Sequence, residues 1–170
     1  MGFKELFSKI KDAEEFKKFK KDNPDAFLYA AFFVISDKIE QKQLDFYKGN
    51  GKVETFIFNE DEKGKEILTV KTEDAVKQAD ISPIDEKIKI DIDKIEEIAK
   101  NEAEKEGLAV NKIIAILQNN NGNQIWNLTV LLPNMYMLRM HIDMDGNVIE
   151  RKKGTVFDIV QKKDNNPSVA

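Results

Sequence analysis

Along Val110–Arg151 apolar and polar residues alternate in short runs broken by turn-forming clusters: VNKIIAILQ, NNNGN, QIWNLTVLL, PNM, YMLRMHID, MDGN, VIER. Alternation with a period of two predicts four antiparallel strands joined by three tight turns. Strand side chains point to opposite faces in turn, so turn length decides which residues share a face. A three-residue loop at Pro133–Met135, with Leu132 opposite Tyr136, pairs Trp126 with Ile142, Leu128 with Met140 and Val130 with Leu138, all apolar. The other face then pairs Asn127 with His141 and Thr129 with Arg139. Asp145-Gly146 predicts a two-residue type I′ hairpin, which sets Ile149 opposite Ile142 and Glu150 opposite His141. A loop spanning Asn119–Asn123 sets Ile116 and Ile114 against Trp126 and Leu128. On this register Ile113, Leu117, Ile125, Leu131 and Met137 fall on the back of the sheet. An apolar patch there marks a candidate interaction surface.

The earlier part of the chain changes period. Phe3, Leu6, Phe7, Ile10, Ala13, Phe16 and Phe19 recur at helical spacing, and Asn23-Pro24 stops the helix. Phe27–Ile35 is apolar on both faces, as in a strand covered from both sides. Phe27, Tyr29, Ala31, Phe33 and Ile35 should line one face, and Leu28, Ala30, Phe32 and Val34 the other. One set is expected to meet the first helix, and the other the Ile113/Leu117/Ile125 side of the later sheet. Strands at Gln41–Tyr47 and Val53–Phe58 follow, turned by Asn50-Gly51, with a further strand at Glu66–Val70 and a short helix at Thr72–Ala79 capped by Thr72. Ser82-Pro83 marks a joint. Beyond it, Ile88–Ile90 reads as a short extended piece. Ile92, Ile95, Ile98, Ala99 and Ala103 then predict a second long helix, opened by an Asp93/Glu96 capping box and stopped at Gly107. Thr155–Val160 reads as a last helical turn, and Gln161–Ala170 as a disordered tail.

Together these elements predict an α+β fold of two helix-on-antiparallel-sheet units. The first is an αβββ unit over 1–80, the second an αββββ unit over 88–160, with 81–87 as linker and 161–170 as tail. The two sheets either pack separately or merge into one.

The phrases Asp93–Ala103, Trp126-Asn127-Leu128 and Ile142-Asp143-Met144-Asp145-Gly146-Asn147-Val148-Ile149 bear on this. Residues 88–151 resemble a PepSY-type domain in these phrases: a helix opening on an acidic-aliphatic stretch, a strand carrying Trp, and a last hairpin of the form hydrophobic-Asp-x-x-Gly-x-hydrophobic. Phe27–Phe58, with Gln43–Tyr47 in its middle strand, resembles a degenerate second copy. The resemblance implies a cystatin- or PepSY-like layer arrangement and a small non-enzymatic module. Some members lie in propeptides of secreted peptidases, where they restrain the enzyme. The family brings no catalytic residues to carry over.

Composition narrows the chemistry. The 27 basic and 31 acidic side chains leave a net charge of −4, which does not favour nucleic acid. Cysteine is absent, so disulfides and thiolate metal sites are excluded. No long apolar run or secretion-signal pattern is evident, and the chain is expected to be cytoplasmic. His141, Asp143 and Asp145 superficially resemble a calcium loop, but Lys152 stands where a bidentate Glu belongs. Phosphate-cradling glycine motifs are absent. No metal, cofactor or catalytic residue is therefore assigned. Asn127-Leu128-Thr129 matches a glycosylation acceptor but falls inside a strand. Acidic residues dilute the lysine-rich face of the first helix, which argues against membrane-surface contact. The expected function is protein or peptide binding, with self-association as one form of it; regulation or inhibition of an intracellular peptidase is the alternative.

Overall fold

The computed structural model describes residues 1–75 and 81–158. Its centre is one eight-stranded antiparallel sheet in the order β4-β3-β2-β1-β5-β6-β7-β8. The first four strands are β1 (Phe27–Ile35), β2 (Ile39–Gly49), β3 (Lys52–Glu60) and β4 (Glu66–Asp74). The last four are β5 (Lys112–Asn120), β6 (Asn123–Leu131), β7 (Tyr136–Asp143) and β8 (Val148–Thr155). The helices are α1 (Phe3–Asp12), α2 (Glu14–Asp22) and α3 (Ile92–Lys105). The chain is thus α+β, and its two halves share one sheet rather than packing two. The joint is the β1–β5 ladder, in which Ala31 faces Leu117, Phe33 faces Ala115 and Ile35 faces Ile113.

Helices cover a single face. Phe3, Leu6, Phe7 and Ile10 of α1, Phe16 and Phe19 of α2, and Ile92, Ile95, Ala99 and Ala103 of α3 all enter one core with the inward side chains of both halves. The single helix expected over Phe3–Phe19 is two, because Ala13 adopts an extended conformation (φ −70°, ψ 139°). That break lets Phe16 and Phe19 turn onto Phe46 and Phe56, where ring centroids lie 5.0–5.9 Å apart. Trp126 is fully buried, 6.0 Å from the Phe33 ring, and its Nε1–H donates to the Ile90 carbonyl at 3.2 Å. This bond binds the segment before α3 to the second half of the sheet.

The capping residue of α3 differs from the expectation. Asp91, rather than Asp93, precedes the helix, and its carboxylate accepts from the Ile92 N–H at 2.6 Å. The same oxygen accepts from the Phe3 N–H at 2.7 Å, so one carboxylate serves the N-termini of two helices. Gly2 is required beside it: a Cβ there would lie 2.8 Å from the Asp91 carboxylate. Gly107 (φ +69°) ends α3 as expected, with Leu108 N–H donating to Ala103 and Gly107 N–H to Glu104 in a Schellman arrangement.

Three registers decide the faces. Leu132 pairs with Tyr136 across Pro133–Met135, and Trp126–Ile142, Leu128–Met140 and Val130–Leu138 pair as the sequence predicts. The β5–β6 turn does not follow the prediction. Asn121 and Gly122 both have positive φ (53° and 85°), making a two-residue turn closed by Asn120 and Asn123. The shorter turn shifts β5 by one residue, so Leu117 and Ala115 flank Trp126 and Leu128, while Ile116 and Ile114 point outward. At the last hairpin Asp143 and Asn147 close the turn, Val148 pairs with Ile142, and Ile149 bulges into solvent instead of facing Ile142. Glu150 faces His141 as expected.

The first half has four strands: the further strand expected at Glu66–Val70 is β4, which runs on to Asp74, so the unit holds one strand more than αβββ. Thr72 belongs to β4 rather than capping a helix, and 76–80 lie outside the described residues. A bulge places both Tyr29 and Ala30 against Asp45 in β1–β2. It throws both side chains to the outer face, so Leu28, Ala31, Phe33 and Ile35 line the core. Ile88–Ile90 is not a strand, yet Ile84, Ile88 and Ile90 are core residues, so the stretch read as a linker and entry to the second helix packs inside the molecule. Val156–Asp158 is helical, and the Asp158 carboxylate accepts from the Thr155 N–H. The rest of that expected helix and the expected tail lie outside the described residues.

Candidate functional site

With α1, α2 and α3 all on one side, the other face of the sheet has no helix among the described residues. Strand pairing places its side chains in rows. One row crosses all eight strands: Thr69, Ile57, Gln43, Phe32, Ile116, Asn127, His141, Glu150. The row beside it runs Gln41, Val34, Ile114, Thr129, Arg139, Lys152. At the β1–β5 joint Phe32, Val34, Ile114 and Ile116 form a half-buried apolar strip. Gln41 and Gln43 border it on one side and Asn127 and Thr129 on the other. Gln41 Nε2 donates to Gln43 Oε1 (2.9 Å), Gln43 Nε2 to Asp45 Oδ1 (2.8 Å), and Asn127 Nδ2 to Gln118 Oε1 (2.7 Å). Such amide ladders hold the polar borders in fixed orientations.

The first-half end of this face carries a polar group in an apolar setting. Thr55 Oγ1 also donates to Asp45 Oδ1 (2.9 Å), and burial pushes the Asp45 carboxyl above the usual carboxylate range against the pull of these donors. Tyr29 lies in a small cluster with Ala30 and Val53, packed by Tyr47, Ala75, Ile81 and Ile116. Its hydroxyl is buried without a hydrogen-bond partner among the described residues, and burial, then the Asp45 charge, raise its pKa.

The five residues expected on this face divide. Ile113 and Leu117 are core residues on the helix side, because the Asn121-Gly122 turn inverts β5. Ile125, Leu131 and Met137 alternate with the core residues Trp126, Val130 and Leu138 and so lie on the outer face; Ile125 and Met137 are almost fully buried there, and Leu131 half-buried. Ile114, Ile116, Phe32 and Val34 were missed as a group. The signal available was Asn121-Gly122, a hairpin dipeptide inside the longer NNNGN run. The expectation that β1 would press its outer side chains onto the second half is also corrected: the halves meet edge to edge, and the outer side chains of β1 lie beside those of β5.

His141 sits on this face with Nδ1 2.9 Å from Glu150 Oε2. Asp143 serves its turn, accepting from the Asp145 and Asn147 N–H groups and from Asn147 Nδ2, and these bonds hold its carboxyl below the usual range. Among the described residues no group of three or more metal-ligating side chains converges, and no helix is long and apolar enough to cross a membrane. On the helix side Phe7, Phe16, Leu28, Phe46 and Ile84 line a recess of about 260 Å³ edged by Lys11 and Glu86. It falls below the roughly 300–1,000 Å³ of small-molecule sites.

No family model matches the chain, and no curated protein matches it. Among solved structures it is similar to the crystal structure of a protein described as "a putative lipoprotein" from Clostridium difficile 630. The TM-score is 0.54 at 13% sequence identity, over 83% of this chain and 91% of that one. At that identity the likeness shows a shared fold: an α+β architecture built on one antiparallel sheet.

Proposed function

We propose that this chain is a non-enzymatic protein- or peptide-binding domain whose contact surface is the sheet face opposite α1, α2 and α3. The observation that carries the reading is the apolar strip Phe32, Val34, Ile114 and Ile116, left half-buried at the centre of that face with amide ladders beside it. An apolar centre inside a polar frame is the anatomy of a protein interface. We read the two halves as two PepSY-like units joined through β1 and β5. Each supplies a helical side and four strands, and the join doubles the width of the face opposite the helices α1, α2 and α3. His141 and Asp143 have structural partners in this reading, a neighbouring carboxylate and a turn, and neither is given a chemical role.

The test is affinity capture from native extract with the full chain and with Ile114→Glu/Ile116→Glu. A protein retained by the wild type and lost from the variant, with the variant's melting temperature within a few degrees, is the expected result. Equal retention by both chains, or no specific protein on either, would reject the surface.

A further inference from the structure

Some basic groups near the helix side have acidic partners: Arg151 bonds Glu102 (3.0 Å) and Glu106, Lys153 bonds Glu106 (3.1 Å), and Lys9 bonds Glu66 (2.8 Å). On the outer face Arg139 and Lys152 are cross-strand neighbours, both exposed, and neither has an acidic partner among the described residues. Like charges placed opposite each other across a ladder repel, so this pair is unfavourable in the free protein. Arg139 follows Thr129 and Ile114 in the same cross-strand row, so it stands two strands from the apolar strip, about 10 Å at ordinary strand spacing. Lys152 stands one strand further, about 14 Å away.

Taking the binding reading above as its basis, we propose that the partner is an acidic protein segment. It would set an aliphatic or aromatic side chain on Val34 and Ile114 and one or two carboxylates about 10–14 Å along the row on Arg139 and Lys152. Each ligand carboxylate would relieve the Arg139–Lys152 repulsion, and Arg139 can receive one bidentately. Nucleic acid fits less well. The strip is aliphatic apart from Phe32, so it offers no run of stacking rings.

The test is selection of a displayed library of random twelve-residue peptides against the full chain. Enriched peptides are then titrated against the wild type, Arg139→Glu/Lys152→Glu and Ile114→Ser. All three altered side chains lie on the outer face, and melting curves check that each variant remains folded. The inference expects enriched sequences with Asp or Glu spaced from an aliphatic or aromatic residue. Binding should weaken at least tenfold on the charge-reversed chain and on Ile114→Ser, and should fall with rising salt. Enriched peptides that lose affinity on Ile114→Ser but not on Arg139→Glu/Lys152→Glu would overturn the acidic partner and leave the surface standing. Peptides indifferent to both variants, or no enrichment, would overturn both. A twenty-nucleotide oligo-dT binding more tightly than any peptide, with that binding abolished by the charge reversal, would replace the acidic segment with single-stranded nucleic acid.

Discussion

Leu117→Ala and Ile116→Ala remove an equal number of carbon atoms from adjacent residues of β5, on opposite faces of the sheet. Leu117 is fully buried on the helix side, beside Ala31 across the joint and Trp126 in β6. Ala31 has no side chain to spare for the gap, and Trp126 is pinned by its bond to Ile90, so the site should collapse little. Large-to-small changes at such sites cost about 2–5 kcal/mol, and Leu117→Ala should fall in the upper half, roughly 3–5 kcal/mol. Ile116 is half-buried on the outer face, so only part of the roughly 1.5–3 kcal/mol for full burial of such a side chain is at stake. Its truncation should cost about 1 kcal/mol. Urea unfolding followed by far-ultraviolet circular dichroism and by Trp126 fluorescence, the only tryptophan in the chain, measures both. Equal costs, or a larger cost for Ile116, would put β5 back in the opposite register and refute the face assignment.

Asp91→Ala should cost roughly 1–3 kcal/mol, because two helix N-termini lose their cap together; hydrogen exchange should show faster opening at the first turns of both α1 and α3. Asp45 has a carboxyl pKa raised mainly by burial, so the folded chain holds that proton to higher pH than the unfolded chain. Stability from this group is therefore present at low pH and is lost as pH rises through the folded value. Asp45→Asn should accordingly raise the melting temperature at neutral pH, with the gain shrinking as pH falls below the carboxylate range. Trp126→Phe should cost about 1–3 kcal/mol through the Ile90 carbonyl left without its donor, on top of the packing loss, read by urea unfolding followed by circular dichroism alone, since the variant has no tryptophan. Arg151→Ala strips the buried Glu102 carboxylate of one partner and should loosen β8 from α3, seen as faster amide exchange along 148–155.

Much of the second half was legible because its signals agree. Proline at the β6–β7 loop, tryptophan on an alternating strand and glycine at the end of α3 each had one physical reading, and the structure follows all three. Misreadings came where one residue of register matters. NNNGN accommodates a long loop or a tight Asn-Gly turn, and composition does not separate them, yet the choice inverts every side chain of β5. The bulges at Tyr29 and Ile149 are equally silent in sequence, since each depends on how the partner strand curves. Asp91 was passed over because half of its role, capping Phe3, lies 88 residues away in the chain. Of the five residues read as a surface, two point into the core, and the four at the β1–β5 joint become neighbours only through a tertiary pairing.

The claim that the sheet face opposite α1, α2 and α3 is the contact surface can be tested most directly by placing a photoreactive benzoyl-phenylalanine at Phe32, in the middle of that face, and at Lys100, on the exposed side of α3. Each chain is irradiated in native extract at equal concentration. The account predicts discrete protein adducts from position 32 that disappear when Ile114→Glu is added, with none of comparable yield from position 100. Adducts arising equally from both positions, or from position 100 alone, would contradict it.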